Sequence, residues 1–254
     1  MNYKGYLIDL DGTMYKGKES IPDAPGFIQR LREKNIPFLF LTNNSTKTPE
    51  TAAKNLQENF GIPALPEEVY TSSLATADYL KSLNNGNKVL IIGEKGLKQA
   101  LADRGFVEED KNPDYVVLGL DQEVNYEKFK AATLAIHNGA QYIATNKDTN
   151  LPTEHGLVPG AGSLAALLTA ATRIEPTFVG KPETIIMEEA LKLIKLPAEE
   201  VVMVGDNYET DIMAGINSGV DTLLVYTGFT KPEDLEKVDV QPTHIVDSLG
   251  EWII

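Results

Sequence analysis

Two aspartates one residue apart close an apolar run near the N-terminus, Tyr6-Leu7-Ile8-Asp9-Leu10-Asp11-Gly12-Thr13. Carboxylates at that spacing suit a hard cation. They also suit a division of roles in which one is ionised and the other protonated. Gly12 lets the chain turn away at once. The same residues equally describe a strand followed by an Asp-Gly turn. Three other segments repeat the form, an apolar run ending in a polar group. Phe38-Leu39-Phe40-Leu41-Thr42-Asn43-Asn44-Ser45 ends in hydroxyl and amide groups that can donate to phosphoryl oxygens. Those residue types also favour turns and helix N-caps. Phe178-Val179-Gly180-Lys181-Pro182 places a lysine in a stiff turn, as a fixed cation or as a solvated surface charge. Val201-Val202-Met203-Val204-Gly205-Asp206 offers Asp206 as a hard oxygen ligand, and Asp211 follows where an acid also favours a helix N-terminus. One shared site, with acids for a metal, donors for phosphoryl oxygens and one fixed cation, accounts for all four segments together.

Such a site needs strands whose ends converge. Short apolar runs at 5–10, 37–42, 68–71, 88–92, 114–118, 141–144, 177–179, 201–204, 222–226 and 244–246 read as strands. Helical patterns fall between them at 24–33, 49–59, 74–82, 97–104, 126–137, 164–171, 184–194 and 210–218. This alternation predicts an α/β fold, a doubly wound parallel-sheet (Rossmann-like) core with helices on both faces. Ligands of such sheets bind beyond the carboxyl ends of the strands, where each polar group stands. The chemical motifs occupy the first fifth and the last third. The stretch between has its own strands and helices and turn-rich edges, Ser82–Asn87 and Arg173–Pro176. The expected organisation is a catalytic core from 1–80 and 177–254, with an α/β cap inserted at 81–176 that can exclude water from the site.

Composition narrows the partners. Lys+Arg number 23 against Asp+Glu 37, a net charge of -14. That balance argues against nucleic acid and leaves any phosphate to be held by local cations. The absence of cysteine excludes disulfides, thiolate metal sites and cysteine nucleophiles. No apolar stretch is long enough for a bilayer span, and the opening residues do not form a secretory signal, so no membrane and a cytoplasmic location are expected.

In order and in type, the four segments resemble the motifs of the haloacid dehalogenase superfamily of phosphohydrolases. Asp9-x-Asp11-Gly12-Thr13 matches the first, Thr42 the second, Lys181 the third, and Gly205-Asp206 with Asp211 the fourth. An insert between the second and third is the arrangement called a type-two cap. Leu41–Ser45 and Gly205-Asp206-Asn207 are similar to the NagD-like and 4-nitrophenylphosphatase-like subfamily. So are Gly139-Ala140, Thr145–Asp148 and Pro159–Gly162 in the cap, so the resemblance covers essentially the whole chain. It implies Asp9 as a nucleophile that forms an aspartyl-phosphate. It implies Asp11 as the acid for the leaving oxygen and then the base for water. Thr42 and Asn43 would bind phosphoryl oxygens, and Lys181 would offset charge. Mg²⁺ would sit on Asp9, the main-chain oxygen of Asp11 and Asp206, with Asp211 and Asn207 supporting.

The expected substrate is a small phosphorylated metabolite, a sugar phosphate first, with nucleoside monophosphates and phosphoglycolate as alternatives. Two further readings are phosphoryl transfer to an acceptor other than water, and a regulatory module that accepts phosphate at Asp9 without turnover. The intact Asp11 argues against the module. Asp121, Asn146, Asp148 and Thr149 are candidates for facing the substrate from the cap, whereas Pro159–Ser163 reads as a turn and helix start. His137, His155 and His244 lack metal-ligand spacing, and Trp252 is expected to anchor the last segment. A cap of this type can offer a homodimer surface, though no apolar stripe demands one.

Overall fold

A computed structural model describes residues 3–153 and 155–254. The chain forms two compact units. The first comprises residues 3–42, Pro49–Tyr70 and Lys181–Ile254; the second comprises Asn43–Thr48 and Thr71–Gly180.

The first unit is built on a six-stranded sheet. Its spatial order is His244–Val246, Asp221–Val225, Val201–Gly205, Gly5–Ile8, Phe38–Thr42, Val69–Thr71. Gly5–Ile8 is central and runs parallel to both Val201–Gly205 and Phe38–Thr42. Gly5–Ile8 and Val201–Gly205 are buried at every position, and Phe38–Thr42 at all but the last. Burial on both faces is what a parallel sheet under helices requires, and it explains their unbroken apolar sequences. From the central strand the chain first winds outward to Phe38–Thr42 and Val69–Thr71. It later returns to the other side of Gly5–Ile8 and winds outward again. The direction therefore reverses between Gly5–Ile8 and Val201–Gly205, and a crevice opens beyond their carboxyl ends.

Helix Ala24–Glu33 buries Ala24, Phe27, Ile28 and Leu31, the spacing of one helical face, and has a proline in its first turn. Helix Pro49–Phe60 does the same with Ala52, Ala53, Leu56 and Phe60. Each buried Leu, Ile or Phe contributes about 1.5–3 kcal/mol. Trp252 packs against this core, and its Nε1 donates to the Tyr6 hydroxyl at 3.1 Å, so it anchors the C-terminal segment as expected.

The second unit carries a five-stranded parallel sheet in the order Thr177–Phe178, Gln141–Ala144, Tyr115–Leu118, Lys88–Ile92, Val107–Glu108. Helices Ser72–Leu83, Lys95–Asp103, Tyr126–His137 and Ala161–Thr172 belong to it, as does an antiparallel hairpin of Asn150–Thr153 with Gly156–Pro159.

Several boundaries depart from expectation. The second unit extends past 81–176 on both sides. Helix Ser72–Leu83 packs on Lys95–Asp103, and Asp78 pairs with Arg104 at 2.8 Å. Thr177–Phe178 pairs with Gln141–Ala144, not with the catalytic-core sheet to which 177–254 was assigned. The first strand stops at Ile8, two residues short of the expected end. The helix expected at 210–218 begins as a π-helical turn, Tyr208–Ile212, and continues as the short helix Met213–Asn217. Among the described residues no helix is long and apolar enough to cross a membrane.

Candidate active site

Asp9 and Asp206 are each the first residue beyond a central strand, Gly5–Ile8 and Val201–Gly205. Both strands are adjacent and parallel, so the topology alone sets the two carboxylates side by side at the crevice. The Asp9 N–H still donates to Val204 O at 2.8 Å, which continues the ladder and fixes where its side chain leaves the sheet. Lys181 enters at the start of the last third. It is 2% exposed, and its Nζ donates to Asp9 Oδ1 at 2.6 Å, Asp211 Oδ1 at 2.6 Å and the Leu41 carbonyl at 3.0 Å. All three ammonium protons are thus used. Asp211 comes from the π-helical turn, a local widening often found at functional positions. Its Oδ2 accepts from Asn207 N–H at 3.1 Å. Asn207 in turn caps the turn, with Oδ1 accepting from Glu209 N–H at 3.0 Å.

Carboxylate oxygens of Asp9, Asp206 and Asp211 lie within 4.8 Å of one another, and all three residues are buried. Burial and repulsion from Asp211, only partly countered by Lys181, push the Asp9 carboxyl well above its usual range. Burial, again with repulsion from Asp211, raises Asp206 from 3.8 to about 7, against the Phe229 N–H and the Thr13 hydroxyl that favour its ionised form. For Lys181, burial would lower the ammonium, but Asp211 and Asp9 outweigh it and hold it above the ordinary lysine range. Three ionised carboxylates around one ammonium leave two negative charges uncompensated. The protein alone answers by retaining protons; a divalent cation bound to the oxygens answers by displacing them. The hard, anionic, all-oxygen donor set therefore fits such a cation.

The other sequence candidates divide. Asp11 does not join the buried cluster with its side chain. It is exposed, and its Oδ1 accepts from Gly17 N–H at 3.0 Å, within the loop that carries the small hairpin Tyr15–Lys16 and Glu19–Ser20. Thr42 is half-buried at the end of its strand, one residue beyond the Leu41 carbonyl that Lys181 engages. Asn43 belongs to the second unit, where its Nδ2 donates to both Asp148 oxygens at 3.2 Å. Its carbonyl accepts from Asn146 Nδ2 at 2.8 Å and from Ser72 Oγ at 2.7 Å. In the same unit Asp121 is ion-paired with Lys128 at 2.7 Å.

Sequence reasoning gave no role to the residues that hold Asp206. Its Oδ1 accepts from Thr13 Oγ1 at 3.2 Å and its Oδ2 from Phe229 N–H at 2.7 Å. Its carbonyl accepts from Thr230 N–H at 3.1 Å, and Thr227 Oγ1 donates to Gly12 O at 2.6 Å. A side chain at Gly12 or Gly228 would strike the Asp206 carboxylate, and one at Gly205 would strike Asp211. One signal was available: residues 227–230 follow the next parallel strand, Asp221–Val225, so they too leave the sheet at its carboxyl end.

The sequence profile of the haloacid dehalogenase-like hydrolases matches residues 6–107, and a second, HAD-hydrolase-like profile matches 178–252. The chain is 51% identical over 251 residues to the 5′-nucleotidase YutF of Bacillus subtilis, covering 99% of this chain and 98% of that one. It is 49% identical over 253 residues to an acid sugar phosphatase of Staphylococcus saprophyticus, covering 99% and 97%. Among solved structures, a double mutant of the thermostable NPPase of Geobacillus stearothermophilus superposes with a TM-score of 0.94 at 52% identity, over 99% of this chain and 98% of that chain. The 4-nitrophenylphosphatase of Thermotoga maritima gives 0.92 at 35% identity, over 98% and 96%. Likeness of this depth along nearly the whole length, joined to the acidic cluster at the crevice, has one meaning: the chain belongs to the haloacid dehalogenase-like hydrolases, in their NagD-like phosphatase branch.

Proposed function

We propose that the chain hydrolyses phosphate monoesters of small metabolites in two steps through a phosphorylated Asp9, with Mg²⁺ as cofactor. One observation carries the reading: Asp9, Asp206 and Asp211 are buried around a single ammonium, Lys181, with too little positive charge for all three to ionise. Asp9, Asp206 and the main-chain oxygen of Asp11 would hold Mg²⁺, with Asp211 aligning Lys181. When bound, the ion supplies the positive charge that lets a carboxylate approach a phosphate dianion.

The chain's own groups perform the rest. Lys181 fixes the rotamer of Asp9 through the 2.6 Å bond and places its charge beside the incoming phosphoryl group. Thr42 and Asn43 donate to phosphoryl oxygens. An Asp9 oxygen bonds to phosphorus as the ester P–O bond breaks, and its electron pair leaves on the alcohol oxygen, which takes a proton from Asp11. Water then attacks the phosphorus of the acyl phosphate. Asp11 takes the proton of that water, the Asp9–phosphorus bond breaks, and inorganic phosphate departs with the Asp9 carboxylate restored. Splitting the displacement replaces one difficult step by two easier ones. The exposure of Asp11 suits a group that must meet both the leaving alcohol and water.

Sugar phosphates and nucleoside 5′-monophosphates are the proposed substrates, since one close relative is named an acid sugar phosphatase and another a 5′-nucleotidase. Phosphoglycolate ranks behind them, and the cytoplasm is the proposed compartment. The test is a time course of phosphate release from a panel of these esters with Mg²⁺. Many turnovers are expected. At most one equivalent per chain would mean a phosphate-accepting module, and cleavage of artificial aryl phosphates alone would remove the metabolite assignment.

A further inference from the structure

Residues 227–230 form a short loop in which every residue is tied to the rim of the site. Thr227 Oγ1 donates to the Gly12 carbonyl at 2.6 Å. Gly228 lies so close to the Asp206 carboxylate that no side chain fits there. Phe229 N–H donates to Asp206 Oδ2 at 2.7 Å, and Thr230 N–H to Asp206 O at 3.1 Å. The Thr230 hydroxyl also accepts from Tyr208 N–H at 2.8 Å, which ties the loop to the π-helical turn. This backbone is held as firmly as the carboxylate it serves. Yet the Phe229 side chain is 70% exposed. Bond lengths alone keep its ring within about 8 Å of the Asp206 oxygen that its own N–H touches. A fully apolar ring in water, on a braced loop, at that distance from the acids, has no part in the core of the fold.

We infer that Phe229 is a specificity-determining residue whose ring stacks on a flat aromatic part of the leaving group. Given the phosphatase reading above, on which this rests, it selects nucleoside monophosphates over bare sugar phosphates. A phenyl ring offers no hydrogen bond to sugar hydroxyls, whereas base–aromatic stacking is worth about 1–3 kcal/mol and tolerates any base. The bracing matters, because a platform already held in place loses little freedom when a ring settles on it.

Adenosine 5′-monophosphate and ribose 5-phosphate differ only by the base and so isolate this contact. The wild-type protein with Mg²⁺ should favour the nucleotide in kcat/KM by at least about fivefold. Phe229→Ala should bring that ratio close to one, chiefly through KM for the nucleotide, whereas Phe229→Trp should preserve it. Both variants keep the backbone N–H that holds Asp206. An unchanged ratio in Phe229→Ala, or a wild type that does not distinguish the two esters, overturns the inference and leaves the phosphatase reading intact. A wild type that hydrolyses neither these nor other phosphate esters overturns both.

Discussion

Replacing Asp206 by Asn removes a charge that the metal-free fold disfavours. The wild-type carboxyl is raised from 3.8 to about 7 by burial and by Asp211. For an acid raised in the folded state, the unfolded chain ionises first as pH increases. Stability therefore falls as pH climbs from 3.8 toward about 7, and levels off above. The full cost is about 4 kcal/mol at about pH 8, of which less than half is already present at about pH 5. The amide is close to isosteric. Its oxygen can accept from Phe229 N–H, and its NH₂ can donate to the Thr13 hydroxyl, so both existing partners remain satisfied. In chelator, Asp206→Asn should gain on the wild type by about 2–3 kcal/mol more at about pH 8 than at about pH 5. That gain appears as a further separation of melting midpoints by roughly 5–10 °C for a chain of this size. The variant should also lose phosphatase activity, and Mg²⁺ should raise the melting temperature of the wild type but not that of the variant. Thermal scans in chelator across that pH range supply the measurement. An advantage that stays flat with pH, or shrinks toward alkaline pH, refutes the reasoning about the acidic cluster.

Three other outcomes follow from the same geometry. Chelation should abolish phosphate release and added Mg²⁺ should restore it, with protons released on binding that a weakly buffered titration detects; turnover indifferent to chelator removes the metal site. Asp9→Asn should leave the circular dichroism spectrum unchanged and reduce turnover to background, and near-normal rates would defeat the covalent route. Lys181→Met leaves Asp9 and Asp211 without their shared cation, and should cost about 3–5 kcal/mol in denaturant unfolding as well as activity, since breaking a buried pair strands its partners.

Much of the site was legible because its residues follow unbroken apolar strands, and parallel sheets place such ends on one side. Asp9 and Asp206 could be located that way, whereas Lys181 follows Thr177–Phe178 of the other sheet and Asp211 stands on the π-helical turn; the structure gathers all four. The bracing of Asp206 was harder to see. Thr13 and Phe229 act through a hydroxyl at 3.2 Å and a main-chain N–H at 2.7 Å, and residue type signals neither. The edges of the second unit were misplaced for a related reason. Ser72–Leu83 has a helical sequence that could pack on either body, and its packing on Lys95–Asp103, joined by the ion pair from Asp78 to Arg104, places it in the second unit. Thr177–Phe178 is two residues long, so its sheet is chosen by pairing with Ile143 and Ala144 rather than by its own pattern. The bond from the Asn43 amide to Asp148 joins residues 105 positions apart, and nothing in either segment's sequence signals it.

The central position of Gly5–Ile8 has a consequence for synthesis. One edge of that strand is met early, by Phe38–Thr42, but the partner for its other edge, Val201–Gly205, is translated roughly 190 residues later. At about 5–20 residues per second the ribosome needs about 10–40 s to deliver it. Throughout that interval an apolar strand carries an open row of backbone donors and acceptors, a template for pairing with another nascent chain. Asp9 waits with it, without Lys181, Asp206 or Asp211. The buried cluster around the proposed nucleophile is therefore completed only when the last third of the chain docks on that strand.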